Sequence, residues 1–181
     1  MSLQLITAQT NWALELPEVK DHIDEAKAAD DAKLQELIYG VEDELKDGYG
    51  IYLSEATYDL LLDKFPKEIL IWAWPIASIT SVKYTDGNGD TQTVSSDNYT
   101  TDLFSKPARI APIDSYAWPV PRNSINAVQV RFVTGFTSPA VVPARIKEAM
   151  YLMIADGFDN REDKGWRFRR LSERILTKYK Y

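Results

Sequence analysis

Cysteine is absent from the chain and histidine occurs once, so several kinds of chemistry are excluded at the outset. None of the 181 residues is a cysteine, and His22 is the single histidine. Without thiols there is no disulfide, thiolate zinc site, iron–sulfur cluster or thiol catalysis. A Ser-His-Asp triad would depend on His22, which lies on a predicted short polar helix and is interpreted as a surface residue. We therefore expect no metal and no cofactor.

Several other sequence patterns are missing as well. The chain has no Walker lysine loop, no Gly-x-Gly-x-x-Gly and no Gly-x-Ser-x-Gly, so neither a nucleotide site nor a nucleophile elbow is indicated. No apolar run approaches the length of about 18 residues that a membrane-spanning helix needs. We expect no contact with a membrane.

Positive charge is scarce except at the C-terminal end. The net charge of the whole chain is −6. Residues 160–181 hold eight basic and three acidic groups, which gives a net charge of +5. The other 159 residues hold 13 basic and 24 acidic groups, which gives a net charge of −11. An acidic body argues against a general nucleic-acid binder, because phosphate contacts need a basic surface. The acidic runs Glu42-Asp43-Glu44 and Asp21 to Asp31 are interpreted as solvated helix faces.

Apolar spacing predicts helices near both ends of the chain. A short helix is predicted from Pro17 to about Ala28, because proline suits the first helical position. Gly40, inside a second predicted helix, either marks a close helix crossing or is simply tolerated. That second helix, capped by Asp30 or Asp31 and ended by Gly48 and Gly50, carries the apolar stripe Leu34, Leu37, Ile38, Val41 and Leu45. A third, from Pro143, carries Ile146, Ala149, Met150, Met153, Ile154 and Phe158, and a last one starts near Lys164 or Gly165.

The region between these helices, about residues 51–137, is rich in β-branched residues, proline and glycine. Residues 79–84 and 128–133 alternate with period two, which is typical of half-buried strands. The turn Asp86-Gly87-Asn88-Gly89 predicts a hairpin that returns through residues 91–94, because Asp-Gly and Asn-Gly favour positive φ. A calcium loop starting at Asp86 is disfavoured, since position 12 would be Asp97 rather than glutamate. We predict one small antiparallel sheet.

The predicted fold class is therefore α+β, with a small helical bundle from the N- and C-terminal helices and a central antiparallel β-rich insertion. We expect one domain over residues 1–163, with helices at about 17–48 and 143–158. Residues 164–181 form a separate basic amphipathic helix or tail.

This tail combines arginines with an apolar stripe, Phe168, Leu171, Ile175 and Tyr179, at steps of three, four and four. The stripe either packs on the chain's own helices or docks in a partner's groove. A membrane-surface helix is a third interpretation, disfavoured because the stripe is narrow and the body acidic. The candidate partner interface comprises Trp166, Arg167, Phe168, Arg169, Arg170, Leu171, Arg174, Ile175 and Tyr179.

An ordered series of short motifs resembles a known family. The series includes Trp74-Pro75-Ile76, the hairpin region from Ile79 to Gly89, the strand end Val133-Thr134-Gly135-Phe136, and Asn160-Arg161-Glu162. Together they resemble the head–tail connector family (head completion or neck adaptor proteins) of tailed bacteriophages and prophages. The similarity extends from about residue 3 to residue 163.

The resemblance implies a structural protein of the virion neck, made in the cytoplasm of the bacterial host. Such proteins form a homo-oligomeric ring under the portal protein, around the channel for double-stranded DNA, which passes without sequence-specific binding. They offer a docking surface to the tail or to a neck (stopper) protein. The family brings no catalytic residues.

Three alternatives remain open. Another neck or tail-completion protein would share these patterns. A small carboxylate-dependent hydrolase would need a cleft with at least two carboxyl groups of strongly shifted pKa. A DNA-binding module would use the basic tail and bind duplex DNA with a steep dependence on salt.

Overall fold

The computed structural model describes residues 2–23, 27–159 and 169–179, with Arg169 and Arg170 described by their backbone alone. The described chain divides into two compact units, one formed by residues 1–9 and 55–135 and the other by residues 10–54 and 136–181. We call them the β unit and the helical unit. Within the described residues, no helix is long and apolar enough to cross a membrane.

The β unit is built on a five-stranded antiparallel sheet in the order β1-β2-β8-β4-β5. β8 lies at its centre, and the side chains of Val128, Val130, Phe132 and Thr134 alternate inward along it, as expected of a strand with one buried face. The five strands are β1 (Ser2–Thr7), β2 (Ala56–Leu62), β4 (Ile76–Thr85), β5 (Thr91–Val94) and β8 (Val128–Thr134).

A second antiparallel sheet of three strands completes the β unit, in the order β3-β7-β6. Ile69, Ile71, Ala108 and Ile110 form its buried face. Its strands are β3 (Ile69–Ile71), β6 (Tyr99–Asp102) and β7 (Ala108–Pro112). The sequence predicted one sheet rather than two; local alternation identifies strands but not their partners.

The other face of the large sheet holds an ion pair between a buried aspartate and a partly exposed arginine. Asp59 on β2 is 1% exposed and lies opposite Arg131 on β8. Both carboxylate oxygens of Asp59 accept from the guanidinium of Arg131, each at 2.8 Å, and Gln129 donates to one of them at 2.5 Å. The bidentate geometry satisfies the carboxylate fully, which is the condition for burying such a group at little cost.

Within its described residues, the helical unit has four helices, α1 (Leu16–His22), α2 (Asp31–Tyr49), α3 (Ala144–Asp159) and α4 (Arg169–Leu176). α2 packs on α3, and α3 packs on α4. Gly50 ends α2 with φ at 65°, a left-handed conformation that glycine adopts without strain. The predicted α+β class is confirmed, but α1 is shorter than expected: it ends at His22, and a separate 3₁₀ turn, Ala28–Asp30, precedes α2.

Gly40 on α2 and Gly157 on α3 show where the two helices approach each other closely. A Cβ added to Gly40 would meet no atom within 4 Å, whereas one added to Gly157 on α3 would lie 2.8 Å from Cδ2 of Leu37 on α2. The close approach between helices therefore falls at Gly157. Gly40 is tolerated in a helix without a packing reason.

Alanine at these two positions should act differently. We expect Gly40→Ala to raise the free energy of unfolding by about 0.5 to 1 kcal/mol, because alanine is the better helix former and nothing obstructs it. Gly157→Ala should gain less or lose stability, because Leu37 must move. Urea titration followed by the helical circular dichroism signal measures both, and a larger gain for Gly157→Ala would contradict this assignment.

Candidate functional site

The predicted apolar stripe of the tail lies beside the face that α4 buries. Ser172 and Leu176 are 1% and 0% exposed, while Leu171 is 47% exposed and Ile175 is partly exposed. Successive residues of a helix lie about 100° apart around its axis. Leu171 and Ile175 each precede a buried residue by one position, so they form a strip beside the buried face. α4 thus uses one face within its own unit and leaves part of the predicted stripe accessible.

The other predicted interface residues are described unevenly. Arg174 is exposed and Tyr179 is partly exposed. Trp166, Arg167 and Phe168 lie outside the described residues, as do the side chains of Arg169 and Arg170. Docking of this segment on a partner remains a prediction.

The predicted hairpin turn, Asp86 to Gly89, is stabilised by hydrogen bonds to the side chain of Asp86. The Asp86 carboxylate accepts from the backbone N–H groups of Asn88, Gly89 and Asp90 at 2.9 to 3.1 Å and from Nε2 of Gln92 at 2.9 Å. These bonds, led by that from Gln92, lower the pKa of Asp86. Gly89 has φ at 97°. The turn accounts for the acidic residues here without a cation.

His22 lies at the surface of α1, where its ring stacks on that of Tyr151 with centroids 4.5 Å apart. Nearby, Nζ of Lys147 lies 2.9 Å from Oε1 of Glu18. Burial followed by the bond to Glu18 raises the pKa of the Tyr151 hydroxyl. These groups join α1 to α3 and present no activated nucleophile, so the cluster is structural.

One buried carboxylate was not predicted from the sequence. Glu42 on α2 was expected on a solvated face, but it is 6% exposed; its neighbours Asp43 and Glu44 are exposed as expected. Oε1 of Glu42 accepts from the backbone N–H of Ala13 at 2.5 Å, and Oε2 accepts from the hydroxyl of Ser54 at 3.1 Å. Burial is the largest influence on this group and raises the pKa of Glu42.

Glu42 ties two irregular segments to α2. Ala13 follows shortly after the chain enters the helical unit, and Ser54 is the last residue before it leaves again. Ser54 also forms a parallel bridge with Phe136, whose N–H donates to the carbonyl of Leu53 at 3.0 Å. The carboxylate therefore fixes the segments by which the chain passes out of and into this unit.

The described residues offer little for catalysis. They contain no group of three or more His, Asp or Glu side chains placed to hold a metal ion. Glu42 has its pKa raised, whereas Asp86 and Asp102 have theirs lowered by hydrogen bonds, the first from Gln92 and the second from Ser105. The paired carboxyl groups that a hydrolase would need are not brought together in a cleft among these residues.

Several large apolar side chains of the described residues are exposed. In the β unit, Phe104 and Val120 are 96% and 88% exposed. In the helical unit, Trp12 and Tyr39 line a cleft of about 500 Å³. The centroids of their rings are 3.9 Å apart. Aromatic residues of this kind are typical anchors of protein interfaces.

Known proteins that are similar to this chain share its fold. No protein-family model matches the sequence, and no curated protein is significantly similar to it. Solved structures do match. One is a chain in the neck of an empty GTA particle, computed with C6 symmetry: it is 19% identical, the match covers 99% of this chain and 95% of that one, and the TM-score is 0.81.

Two further matches come from the same kind of particle. One is a chain in the virion of a native gene transfer agent (GTA) particle, 20% identical with a TM-score of 0.82, and another is in the neck of a native GTA particle computed with C12 symmetry, 20% identical with a TM-score of 0.72. Each match again covers 99% of this chain and 95% of the other. The predicted resemblance to connector proteins of the virion neck is thereby confirmed at the level of the fold.

Proposed function

We propose that this protein is a structural subunit of the head–tail connector in the neck of a tailed phage, prophage or phage-like particle. The observation that carries the proposal is the match to GTA neck chains over 99% of this chain and 95% of the other, with a TM-score of 0.81. The match spans both units, so it concerns the complete arrangement of strands and helices rather than one common motif.

A ring of identical subunits is the second part of the proposal. Two of the matching assemblies were computed with C6 and C12 symmetry. A cyclic ring needs two different patches on each subunit, one for each neighbour. The β unit has exposed apolar residues at well-separated positions in the sequence, among them Leu5 and Val120, which are 49% and 88% exposed.

The third part of the proposal is a position under the portal, which would give the ring two kinds of partner. The ring would contact the portal protein on one side and a tail or neck (stopper) protein on the other, with double-stranded DNA passing through its channel. Residues 10–54 and 136–159 hold 15 acidic and six basic groups. An acidic surface facing the channel would repel phosphates and let DNA pass without sticking.

The tail is proposed as the docking element for one of these partners. The exposed strip at Leu171 and Ile175 lies next to Arg174 and within a segment of net charge +5. Such a segment suits an acidic, grooved surface, in which apolar anchors supply most of the affinity and the arginines set the association rate.

Imaging the neck of the particles that contain this chain tests the proposed function. We expect a ring of copies between portal and tail, and heads without tails when the gene is deleted. Restoring the intact gene should restore tails, which controls for indirect effects of the deletion. A neck that lacks the chain, or holds a single copy of it, would rule the proposal out.

A further inference from the structure

The five-stranded sheet of the β unit ends in two open edges. β1 pairs with β2 along one side only, and all six of its residues are exposed. At the other end, β4 has ten residues, but β5 pairs with only four of them, Val82 to Thr85. Within the described chain, no strand pairs with the outer side of β4 over residues 76–81.

These two open segments match in length and in character. Each has six residues, Ser-Leu-Gln-Leu-Ile-Thr in β1 and Ile-Ala-Ser-Ile-Thr-Ser at the start of β4. Neither contains a charged residue, a proline or a glycine. An open edge is a template for another strand and is usually protected by lysine, proline or β-bulges. Of these, the β4 segment has only register shifts, between Ile76 and Ser78 and between Ile79 and Ser81.

The side chains agree with this interpretation. On β1, Leu3 and Leu5 are 42% and 49% exposed on the same face of the strand. On β4, Ala77, Ser78 and Thr80 are small and exposed, so they leave room for a neighbouring strand. Pairing would cover the two leucines and supply partners for backbone groups along both edges.

Strand direction is also compatible. β1, β2, β8 and β4 are antiparallel in succession, so β1 runs antiparallel to β4 of its own sheet. A neighbour related by a small rotation keeps almost the same strand direction. Its β1 would therefore meet β4 in the antiparallel sense of the rest of the sheet. The contact joins two different edges, as a head-to-tail ring requires.

We propose that β1 of one copy pairs with the open edge of β4, residues 76–81, in the next copy, so that the sheets join head to tail around the ring. This inference rests on the proposed ring and names its subunit contact. The register shift between Leu5 and Thr7 in β1 leaves Ser2 to Leu5 as the regular stretch, so pairing centres there.

Cysteine pairs test this contact directly, because the natural chain has no cysteine. Leu3→Cys is combined in turn with Ala77→Cys, Ser78→Cys and Thr80→Cys, all exposed positions, and assembled particles are oxidised. At least one pair should give a ladder of covalent oligomers that a reductant removes, since disulfides form only between closely placed Cα atoms. Leu3→Cys combined with Ile125→Cys has the same number of thiols and should give no ladder.

The outcomes separate this inference from the proposed function. A ring of this chain in the neck without a ladder from any β4 pair would overturn the contact and leave the function standing. Dimers from Leu3→Cys alone would overturn it in favour of β1 pairing with β1, and a cross-link to a different protein would overturn it in favour of a foreign partner. A neck without a ring would overturn both.

A second variant avoids cysteine chemistry. Leu3→Lys should lower the number of copies in the ring on the order of tenfold, which corresponds to about 1.4 kcal/mol of contact energy, because lysine protects an edge from pairing. Ile125→Lys, at another exposed apolar position, should assemble as the natural chain does. Normal assembly of Leu3→Lys would count against the contact.

Discussion

Glu42→Met should lower the free energy of unfolding of the helical unit by about 2 to 4 kcal/mol, whereas Glu42→Gln should cost less than about 1 kcal/mol. Methionine has nearly the length of glutamate but no strong acceptor, so the N–H of Ala13 and the hydroxyl of Ser54 lose their partner. Glutamine keeps one carbonyl oxygen for Ala13. The pair of variants separates the hydrogen bonds from the volume of the side chain.

Urea titration followed by helical circular dichroism reports on this unit, because the α-helices of the described residues belong to it. Glu44→Gln, on the exposed face of the same helix, should change stability by less than about 0.5 kcal/mol. Equal losses for Glu42→Met and Glu42→Gln would refute the assigned role of the two hydrogen bonds.

The same carboxylate gives a dependence on pH of known sign. Burial raises the pKa of Glu42 above its ordinary value of 4.5, so the folded chain binds this proton more tightly than the unfolded chain. The stabilisation from this group is fully present below the unfolded pKa and is lost as pH rises through the folded pKa. The stability difference between the natural chain and Glu42→Gln should therefore shrink as pH rises above about 4.5; growth with pH would contradict the direction of the shift.

On α4, two leucines five residues apart should respond in opposite ways to aspartate. Leu176 is 0% exposed and packs within the helical unit, whereas Leu171 is 47% exposed. Leu176→Asp should unfold or strongly destabilise the unit, since truncating a buried leucine alone costs about 2 to 5 kcal/mol and the charge adds to that. Leu171→Asp should leave the fold intact and reduce incorporation into particles at least about tenfold, as loss of an interface anchor does.

Thr177→Asp is the matched control, because it adds the same charge at an exposed position of the same segment. Melting curves establish folding, and the copies per purified particle measure incorporation. Normal incorporation of Leu171→Asp would mean that this strip is not an interface. Equal loss with Thr177→Asp would mean that added negative charge, rather than the missing leucine, blocks docking.

The elements that could be predicted from the sequence depend on nearby residues. The β4–β5 hairpin follows from Asp86-Gly87-Asn88-Gly89, because turn chemistry is local. β2 was not predicted, because Asp59 and the run Leu60-Leu61-Leu62 break the alternation. Its strand conformation depends instead on pairing with β1 and β8, which are distant in sequence.

In the candidate site too, features set by nearby residues could be predicted, and features set by distant contacts could not. The repeat of apolar residues in the tail identified an amphipathic helix, but the face buried in the helical unit includes Ser172, which no hydrophobic pattern selects. The burial of Glu42 could not be predicted either, since it depends on Ala13 and Ser54 reaching the same side of α2. A single acidic run carries no mark that distinguishes its buried member from its exposed ones.

The central position of β8 has a consequence for how the chain folds during its synthesis. β8 is the last strand of the β unit in sequence and the only one that joins β2 to β4. During synthesis, β4 can pair early with β5 across a tight turn, and β1 can pair with β2 only after residues 8–55 have been made. The two pairs stay separate until Thr134 has been made. The sheet is therefore completed late, through contacts distant in sequence, which is the topology associated with slow folding. Until then the nascent chain exposes the edges of β2 and β4 that β8 later covers, and this interval is when it most needs protection from aggregation.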